Sequence, residues 1–90
     1  MTHDVAYRLF VKRGAERDLR RLSPDVFRRV NAAILSLAQN PRPSGVQQLV
    51  GDLTSWRIRV GDYRMLYQID DDAREVIVVR VWYRRDVYRP

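Results

Sequence analysis

Residues 56–72 read W-R-I-R-V-G-D-Y-R-M-L-Y-Q-I-D-D-D, and apolar and polar side chains alternate on both sides of Gly61-Asp62. Such alternation is typical of a β-strand with one buried face. Glycine tolerates the positive φ that a two-residue hairpin turn requires. The stretch therefore predicts an antiparallel hairpin with strands Trp56–Val60 and Tyr63–Asp70.

The position of the turn determines which side chains share a face of this hairpin. If Val60 pairs with Tyr63, then Arg59 lies opposite Arg64, and Arg57 shares their face. The other face is apolar and consists of Trp56, Ile58, Val60, Tyr63, Met65 and Tyr67. Like charges opposite each other disfavour strand pairing by tenths of a kcal/mol to about 1 kcal/mol, so the arginine cluster is a candidate functional surface. The alternative is a solvated face on which long arginine stems merely cover the sheet.

The sequence before the hairpin predicts a strand and two helices. Val5–Val11 alternates as a first strand, and Arg13–Leu22 has apolar residues at helical spacing. Ser23-Pro24-Asp25 is typical of a helix start, because serine caps free N–H groups and proline fits the first helical position. We expect the second helix to continue to Ala38 and to stop at Asn40-Pro41.

The run Glu75–Trp82 is almost continuously apolar, as in a strand covered on both faces, and we expect it to be the central strand. The segments together predict an α+β fold. Two N-terminal helices pack on one face of a small, antiparallel-rich twisted sheet, in the order β-α-α-β-β-β. Since neither a linker nor a repeat interrupts the pattern, we expect a single domain over residues 1–90.

Composition narrows the class of protein. The chain has 90 residues and a formal net charge of +6, and sixteen of its seventeen cations are arginine. This balance favours a polyanionic partner, although a GC-rich genome would produce the same arginine skew without any function. The absence of cysteine excludes disulfides and thiolate metal sites. No apolar run approaches the roughly 20 residues that span a bilayer, and residues 1–4 do not resemble a signal peptide, so we expect a cytoplasmic protein with no membrane contact.

A second cationic group, Y-R-R-D-V-Y-R, occupies residues 83–89. Arginine offers a planar fork to phosphate and tyrosine can stack on a base, a combination common in RNA recognition. The residues that this pattern predicts to bind RNA are Tyr83, Arg85 and Arg89, with Arg80 as a weaker candidate that could equally project from the sheet edge. The alternative is a frayed terminus with solvated arginines and with Tyr88 packed on an edge.

Most catalytic sets are excluded by counting. His3 is the only histidine, and the four glycines are too scattered for a phosphate loop. Asp70-Asp71-Asp72 lacks the spacing of a calcium loop and predicts a solvated turn, so we expect no metal and no cofactor. RNA cleavage remains possible because the 2′-hydroxyl of the substrate is itself the nucleophile. Arginine cannot act as a base, which leaves Tyr88 and Tyr83 as the tail groups with a transferable proton.

Residues 56–72, followed by V-I-V-V-R-V-W-Y-R-R-D-V-Y-R at residues 76–89, resemble the RelE/ParE superfamily of toxins from toxin–antitoxin pairs. The resemblance covers nearly the whole chain and implies two helices over an antiparallel-rich sheet. For the RelE branch it implies an mRNA interferase, a ribosome-dependent endoribonuclease that cleaves mRNA in the A site. The catalytic residues that it implies are Arg57, Arg59, Arg64, Arg84 and Tyr88. The arginines would clamp phosphate and stabilise developing charge, and the tyrosine would act on the 2′-hydroxyl.

The sequence departs from the RelE pattern at two places. Trp82-Tyr83 stands where many relatives have Gly-His or Gly-Lys, and arginine occupies positions 57 and 59, where lysine is frequent. An alternative is the ParE branch, which shares the fold but poisons DNA gyrase and has no nuclease chemistry. A third possibility is a nucleic-acid-binding module without toxicity.

The resemblance also implies partners. A cognate antitoxin would cover the cationic face with acidic residues in a toxin–antitoxin hetero-oligomer. The ribosome and mRNA are the further partners of a RelE-like toxin, and DNA gyrase is the partner of a ParE-like one.

Overall fold

The structure is a computed structural model, and it describes residues 6–86. Its elements are β1 (Arg8–Val11), α1 (Arg13–Arg20), α2 (Pro24–Ser36), β2 (Gln47–Gln48), β3 (Ser55–Val60), β4 (Tyr63–Asp70) and β5 (Glu75–Tyr83). The strands form one sheet in the order β1-β5-β4-β3-β2. β1 runs parallel to β5, and all other neighbours are antiparallel. This confirms the predicted α+β fold with two N-terminal helices on an antiparallel-rich sheet.

The predicted hairpin register is confirmed. Val60 pairs with Tyr63 and Arg59 pairs with Arg64 across β3 and β4. Gly61 adopts a φ of +59° in the connecting turn, a backbone conformation that residues with a Cβ rarely adopt. β4 has the predicted bounds, and β3 begins one residue earlier than predicted, at Ser55.

β5 is an interior strand, but the middle position of the sheet belongs to β4. The pairing of β4 with β5 shifts register at a bulge, where Leu66 opposes Arg80 and Tyr67 opposes Val78. Because of this shift, Val78 and Val81 are both buried although their position numbers differ by three. Ile77 and Val79 are half-buried, so the strand is not buried on both faces as its apolar run predicted.

Both helices cover one face of the sheet. α2 begins as predicted, with the Ser23 hydroxyl accepting a hydrogen bond from the backbone N–H of Val26 and with Pro24 in the first turn. It ends at Ser36, two residues before the predicted Ala38, and turns follow it. The core between helices and sheet consists of Ala15, Val30, Ile34, Leu37, Met65, Tyr67, Ile69, Val76, Val78 and Val81. Burial of these side chains leaves the opposite face of β3 and β4 available for polar residues.

The prediction missed β2, a two-residue strand that pairs antiparallel with β3 at the sheet edge. Gln47–Gln48 has neither apolar alternation nor β-branched residues, so its sequence gives no strand signal. It pairs because the extended edge of β3 offers unpaired backbone groups. Within residues 6–86, no helix is long and apolar enough to cross a membrane.

The end of the sheet that follows β4 is fastened by polar contacts. Tyr67 is fully buried, its hydroxyl donates to the carbonyl oxygen of Pro41 at 2.7 Å, and burial raises its pKa to about 12. Asp71 accepts two hydrogen bonds from Arg42, at 3.2 and 2.8 Å, and one from the Tyr7 hydroxyl at 2.6 Å. The predicted aspartate turn is therefore exposed but not merely solvated. These contacts join the loop after α2 to the turn between β4 and β5.

Candidate functional site

Three arginines share the sheet face opposite the helices, and we call Arg57, Arg59 and Arg64 the arginine face. On β3, Arg57 and Arg59 alternate with Trp56 and Ile58, which contact the core. Arg64 of β4 is directly paired with Arg59. Side chains in such a pair have Cβ atoms about 5 Å apart, so two cations meet across the strands. The three arginines line a shallow cavity of about 260 Å³ together with Gly45, Gln47 and Ile58.

No carboxylate among residues 6–86 neutralises the arginine face. The guanidinium of Arg57 donates to the Gln47 side-chain oxygen at 3.2 Å, and Nε of Arg59 donates to the carbonyl oxygen of Gly61 at 3.1 Å. Both acceptors are uncharged. Among residues 6–86, no carboxylate forms an ion pair with any of the three arginines. The hydrogen bonds thus orient two guanidinium groups while leaving their charge available to an anion.

Arg84, the first residue after β5, lies beside the β3–β4 turn that connects Arg59 to Arg64. Its backbone N–H donates to the carbonyl oxygen of Asp62 at 2.8 Å, which fastens the first residue after β5 to the β3–β4 turn. Its Nε lies 3.7 Å from Oδ1 of Asp62, and both side chains are largely exposed. An exposed ion pair of this length contributes little energy, so Arg84 can exchange Asp62 for another anion.

The predicted RNA-binding residues are not gathered in one place. Tyr83 pairs with Tyr63 across the strands, and their rings meet edge to face at 5.4 Å. Tyr63 packs against the core, so Tyr83 lies on the helix side of the sheet and away from the arginine face. Arg85 is exposed in the turn after β5. Tyr88 and Arg89 lie outside the described residues.

Arg80 is held by α1. Its Nε donates to Oδ2 of Asp18 at 2.8 Å and its terminal nitrogen donates to Oδ1 at 3.2 Å. Asp18 also accepts the backbone N–H of Val81 at 2.8 Å, so one carboxylate closes the edge of β5 where β1 has ended. The stem of Arg80 passes over Gly14, where a Cβ would lie 2.8 Å from Cδ of Arg80. Arg80 therefore has a structural role in joining α1 to the sheet.

Two residues next to the arginines were not among the predicted site residues. Trp82 opposes Arg64 on β5, which places it beside the arginine face. Counting residues back from the β4–β5 turn does not pair Trp82 with Arg64, because the bulge shifts the register by one residue. Gln47, which orients Arg57, lies on β2, for which the sequence carries no signal.

The arginines of this site can bind phosphate, but they cannot act as a base because they cannot accept a proton. Guanidinium groups donate pairs of hydrogen bonds to phosphate oxygens and remain charged at all ordinary pH values. Within the part of the chain that the structure describes, no group of three or more histidine, aspartate or glutamate side chains is placed to hold a metal ion. The described site is thus a candidate anion-binding surface, and its charged groups are arginines.

Comparison with known proteins identifies the family. Residues 9–88 match the family model described as the ParE toxin of type II toxin–antitoxin systems. The chain is 37% identical over 79 residues to Toxin RelG of Mycobacterium tuberculosis H37Rv, which covers 83% of this chain and 87% of that protein. The chain therefore belongs to the RelE/ParE family of toxins from type II toxin–antitoxin systems, as the resemblance predicted.

Solved structures show the same fold. The toxin–antitoxin complex RelBE2 of M. tuberculosis contains a chain that is 32% identical, with a TM-score of 0.78, covering 89% of this chain and 100% of that one. An archaeal RelE–RelB complex from Pyrococcus horikoshii matches with a TM-score of 0.80 at 23% identity, covering 91% of this chain and 99% of that one. The second match supports the fold alone.

Proposed function

We propose that this toxin is a ribosome-dependent endoribonuclease that cleaves mRNA in the A site. The observation that carries the proposal is the arginine face, where three arginines on paired strands share a cavity and meet no carboxylate within residues 6–86. Clustered, unpaired guanidinium groups match a phosphodiester that gains negative charge during cleavage. Similarity to Toxin RelG supports the RelE-like branch.

The reaction needs little covalent chemistry from the protein. The 2′-oxygen forms a bond to the adjacent phosphorus, the bond from phosphorus to the 5′-oxygen breaks, and a cyclic phosphate and a 5′-hydroxyl result. The arginine face and Arg84 would hold the non-bridging oxygens and stabilise the charge that accumulates on them. The proton of the 2′-hydroxyl must leave to an acceptor other than arginine, which stays protonated, and the departing 5′-oxygen must gain a proton, for which water is a sufficient donor.

Tyr88 is our proposed group for acid–base or orienting work on the 2′-hydroxyl, on the strength of the family resemblance. It follows Arg84 by four residues, and Arg84 is fastened to the β3–β4 turn beside Arg59 and Arg64. Its phenolic hydroxyl carries a proton that can be transferred, which a guanidinium does not offer at ordinary pH.

A DNA gyrase poison without nuclease activity is the second candidate function. The observation that favours it is the match to the family model described as the ParE toxin, which covers residues 9–88. In that case the arginine face would bind protein or DNA, and its arginines would take no part in RNA cleavage. The two candidates differ in whether mRNA is cut.

A cognate antitoxin is the partner that we propose for regulation. The RelBE2 complex of M. tuberculosis is a toxin–antitoxin complex, and its matched chain shares this fold over its whole length. An antitoxin that places carboxylates on the arginine face would neutralise it in a hetero-oligomer. Within the described residues, no carboxylate of the toxin itself forms an ion pair with the arginine face.

A purified translation reaction with one defined mRNA tests the nuclease proposal. We expect new RNA ends at A-site codons that require ribosomes, and a loss of about 100-fold in rate for Arg64→Gln, because removing one donor to a developing anion typically costs that much. Arg29→Gln, which removes an exposed arginine of α2, is the matched control and should cleave normally. Intact mRNA from folded protein that still inhibits growth would contradict the proposal, and gyrase supercoiling would then be assayed.

A further inference from the structure

A second set of arginines lies on α1. Arg13, Arg17, Arg20 and Arg21 follow one another at positions i, i+4, i+7 and i+8, and we call them the α1 stripe. All four are exposed, and they lie on the side of the helix opposite Ala15 and Leu19, which contact the core. Glu16 lies beside the stripe, yet within residues 6–86 none of the four arginines forms an ion pair with it or with any other carboxylate.

Repulsion between neighbouring arginines of the α1 stripe is unfavourable for the helix. Like charges at i, i+4 destabilise a helix by a few tenths of a kcal/mol per pair, and Arg13, Arg17 and Arg21 form two such pairs. Arg13 also lies in the first turn, at the positive end of the helix dipole. α2 shows the favourable arrangement, since its Arg28 is paired with Asp25. Arg17 and Arg20 lie in the last turn, where cations complement the helix dipole, so the net cost to the helix is small. An exposed row of four arginines that meets no carboxylate within residues 6–86 favours an anionic partner.

Two adjoining grooves extend from the α1 stripe along the edge of β5 as far as Trp82. β1 ends at Val11, so the next part of the β5 edge is covered by α1 instead of a strand. Arg17 and Arg21 line this edge together with Arg80. Farther along, a groove of about 290 Å³ lies mainly on the helix side of the sheet, where Tyr63 and Tyr83 line it, and it reaches from Arg21 to Trp82. Asp18 and Asp86 are its acidic members. Trp82 opposes Arg64, and it therefore stands between the two arginine clusters.

We propose that the RNA strand bound on the arginine face continues across Trp82 and onto the α1 stripe. The inference rests on the proposed function and extends its substrate site. The stripe would hold phosphates of the same strand, away from the bond that is cut, and Trp82 would stack on an intervening base. Arg80 remains paired with Asp18 and shapes the floor between the two clusters.

Binding of 2′-O-methyl oligonucleotides, which cannot be cleaved, tests the continuity without ribosomes. A trinucleotide is short enough for the arginine face alone, whereas a dodecanucleotide can reach the α1 stripe. We expect the double variant Arg17→Gln/Arg21→Gln to bind the dodecanucleotide about tenfold more weakly, with a salt slope lower by about 1.4, and to bind the trinucleotide as the wild type does. Glutamine preserves helix propensity, and circular dichroism verifies the fold.

The matched control is Arg28→Gln/Arg29→Gln, which removes the same charge from α2 and should bind both oligonucleotides like the wild type. Equal dodecanucleotide affinity in the two double variants would overturn the inference. An equal loss for both oligonucleotides in the α1 variant would also overturn it, since the stripe would then not bind a continuation of the strand. So would a wild type that binds the two lengths equally.

Trp82 gives an independent measurement. The protein contains two tryptophans, so Trp56→Phe leaves Trp82 as the only indole. We expect the dodecanucleotide to quench its fluorescence, because a stacked base quenches an indole, and absence of quenching at saturation would contradict the path across Trp82. Failure of the cleavage assay leaves these binding results intact, so the proposed function and this inference can fail separately.

Discussion

The arginines at the two ends of the sheet have opposite surroundings. At the end that follows β4, Arg42 makes two hydrogen bonds with Asp71, and its guanidinium lies 4.9 Å from the ring centre of Trp56. Toward the β3–β4 turn, Arg59 and Arg64 face each other, and within residues 6–86 neither meets a carboxylate in an ion pair. Arginine thus joins loops near the β4–β5 turn, whereas near the β3–β4 turn its charge is available to bind an anion.

The difference shows that arginine content alone does not identify a site. Arg8, Arg42 and Arg80 each pair with a carboxylate from a distant part of the chain. Their charges are used within the fold. Within residues 6–86, the orienting partners of Arg57 and Arg59 are neutral oxygens, so the positive charge of both guanidinium groups stays available to phosphate. Three predictions alter one side of this contrast at a time.

The largest effect on stability is expected from Asp18→Ala. The substitution leaves Arg80 and the N–H of Val81 without the carboxylate that both contact, and the side chain of Asp18 is only 11% exposed. We expect the free energy of unfolding to fall by about 2–3 kcal/mol, as for other losses of partly buried hydrogen bonds to a charge. Urea denaturation measures it. Glu16→Ala, on the exposed side of α1, is the control, and an equal loss in both variants would contradict the role of Asp18.

Gln47→Glu would place a carboxylate on the arginine face. Its side-chain oxygen already accepts a hydrogen bond from Arg57, so the change adds charge with little change of shape. We expect ribosome-dependent cleavage to slow about tenfold, because the carboxylate competes with phosphate for the guanidinium. Stability should be unchanged or slightly higher. Gln48→Glu on the same short strand is the control, and normal cleavage by Gln47→Glu would indicate that Arg57 lies outside the site.

The smallest effect concerns Asp71. Hydrogen bonds from Arg42 and Tyr7 lower its pKa from 3.8 to about 2, so the carboxylate stabilises the fold at any pH above about 4. This contribution is lost as the pH falls from about 4 toward 2, because protonation removes the bonded anion. The side chain is 54% exposed, and solvent screening limits the effect to a few tenths of a kcal/mol up to about 1 kcal/mol.

Urea midpoints of the wild type and Asp71→Asn, measured from pH 6 down to pH 2, check this expectation. The wild type should be more stable at pH 6, and the gap should close near pH 2. A gap that is constant with pH would mean that the bonds from Arg42 and Tyr7 do not act through the charge of Asp71. Asp72→Asn in the same turn is the control for an unbonded carboxylate.

The sequence predicted what depends on local pattern. The register of β3 with β4 follows from alternation around Gly61, and the start of α2 follows from Ser23-Pro24. Both signals lie within a few residues of the structure that they specify. The hairpin register also predicted the arginine face, because the pairing across a short turn determines the face on which each side chain lies.

What the sequence did not predict depends on distant contacts. The bulge in β5, which brings Val81 into the core, arises where the strand fits both β4 and α1. The pairing of Arg80 with Asp18 joins residues 62 positions apart, and nothing local distinguishes Arg80 from Arg64. Trp82 and Gln47 became recognisable as neighbours of the arginine face only once the sheet was assembled. Sequence pattern therefore predicted which residues share a strand face but not which charges are already paired.

The most direct test compares one arginine from each end of the sheet. Cleavage of a defined mRNA on ribosomes is measured for Arg64→Gln and for Arg42→Gln, with rates expressed per folded molecule. We expect Arg64→Gln to retain stability and lose about 100-fold in rate, and Arg42→Gln to lose some stability and cleave at the wild-type rate. Equal rates for the two variants would contradict the claim that the arginine face is the site of cleavage.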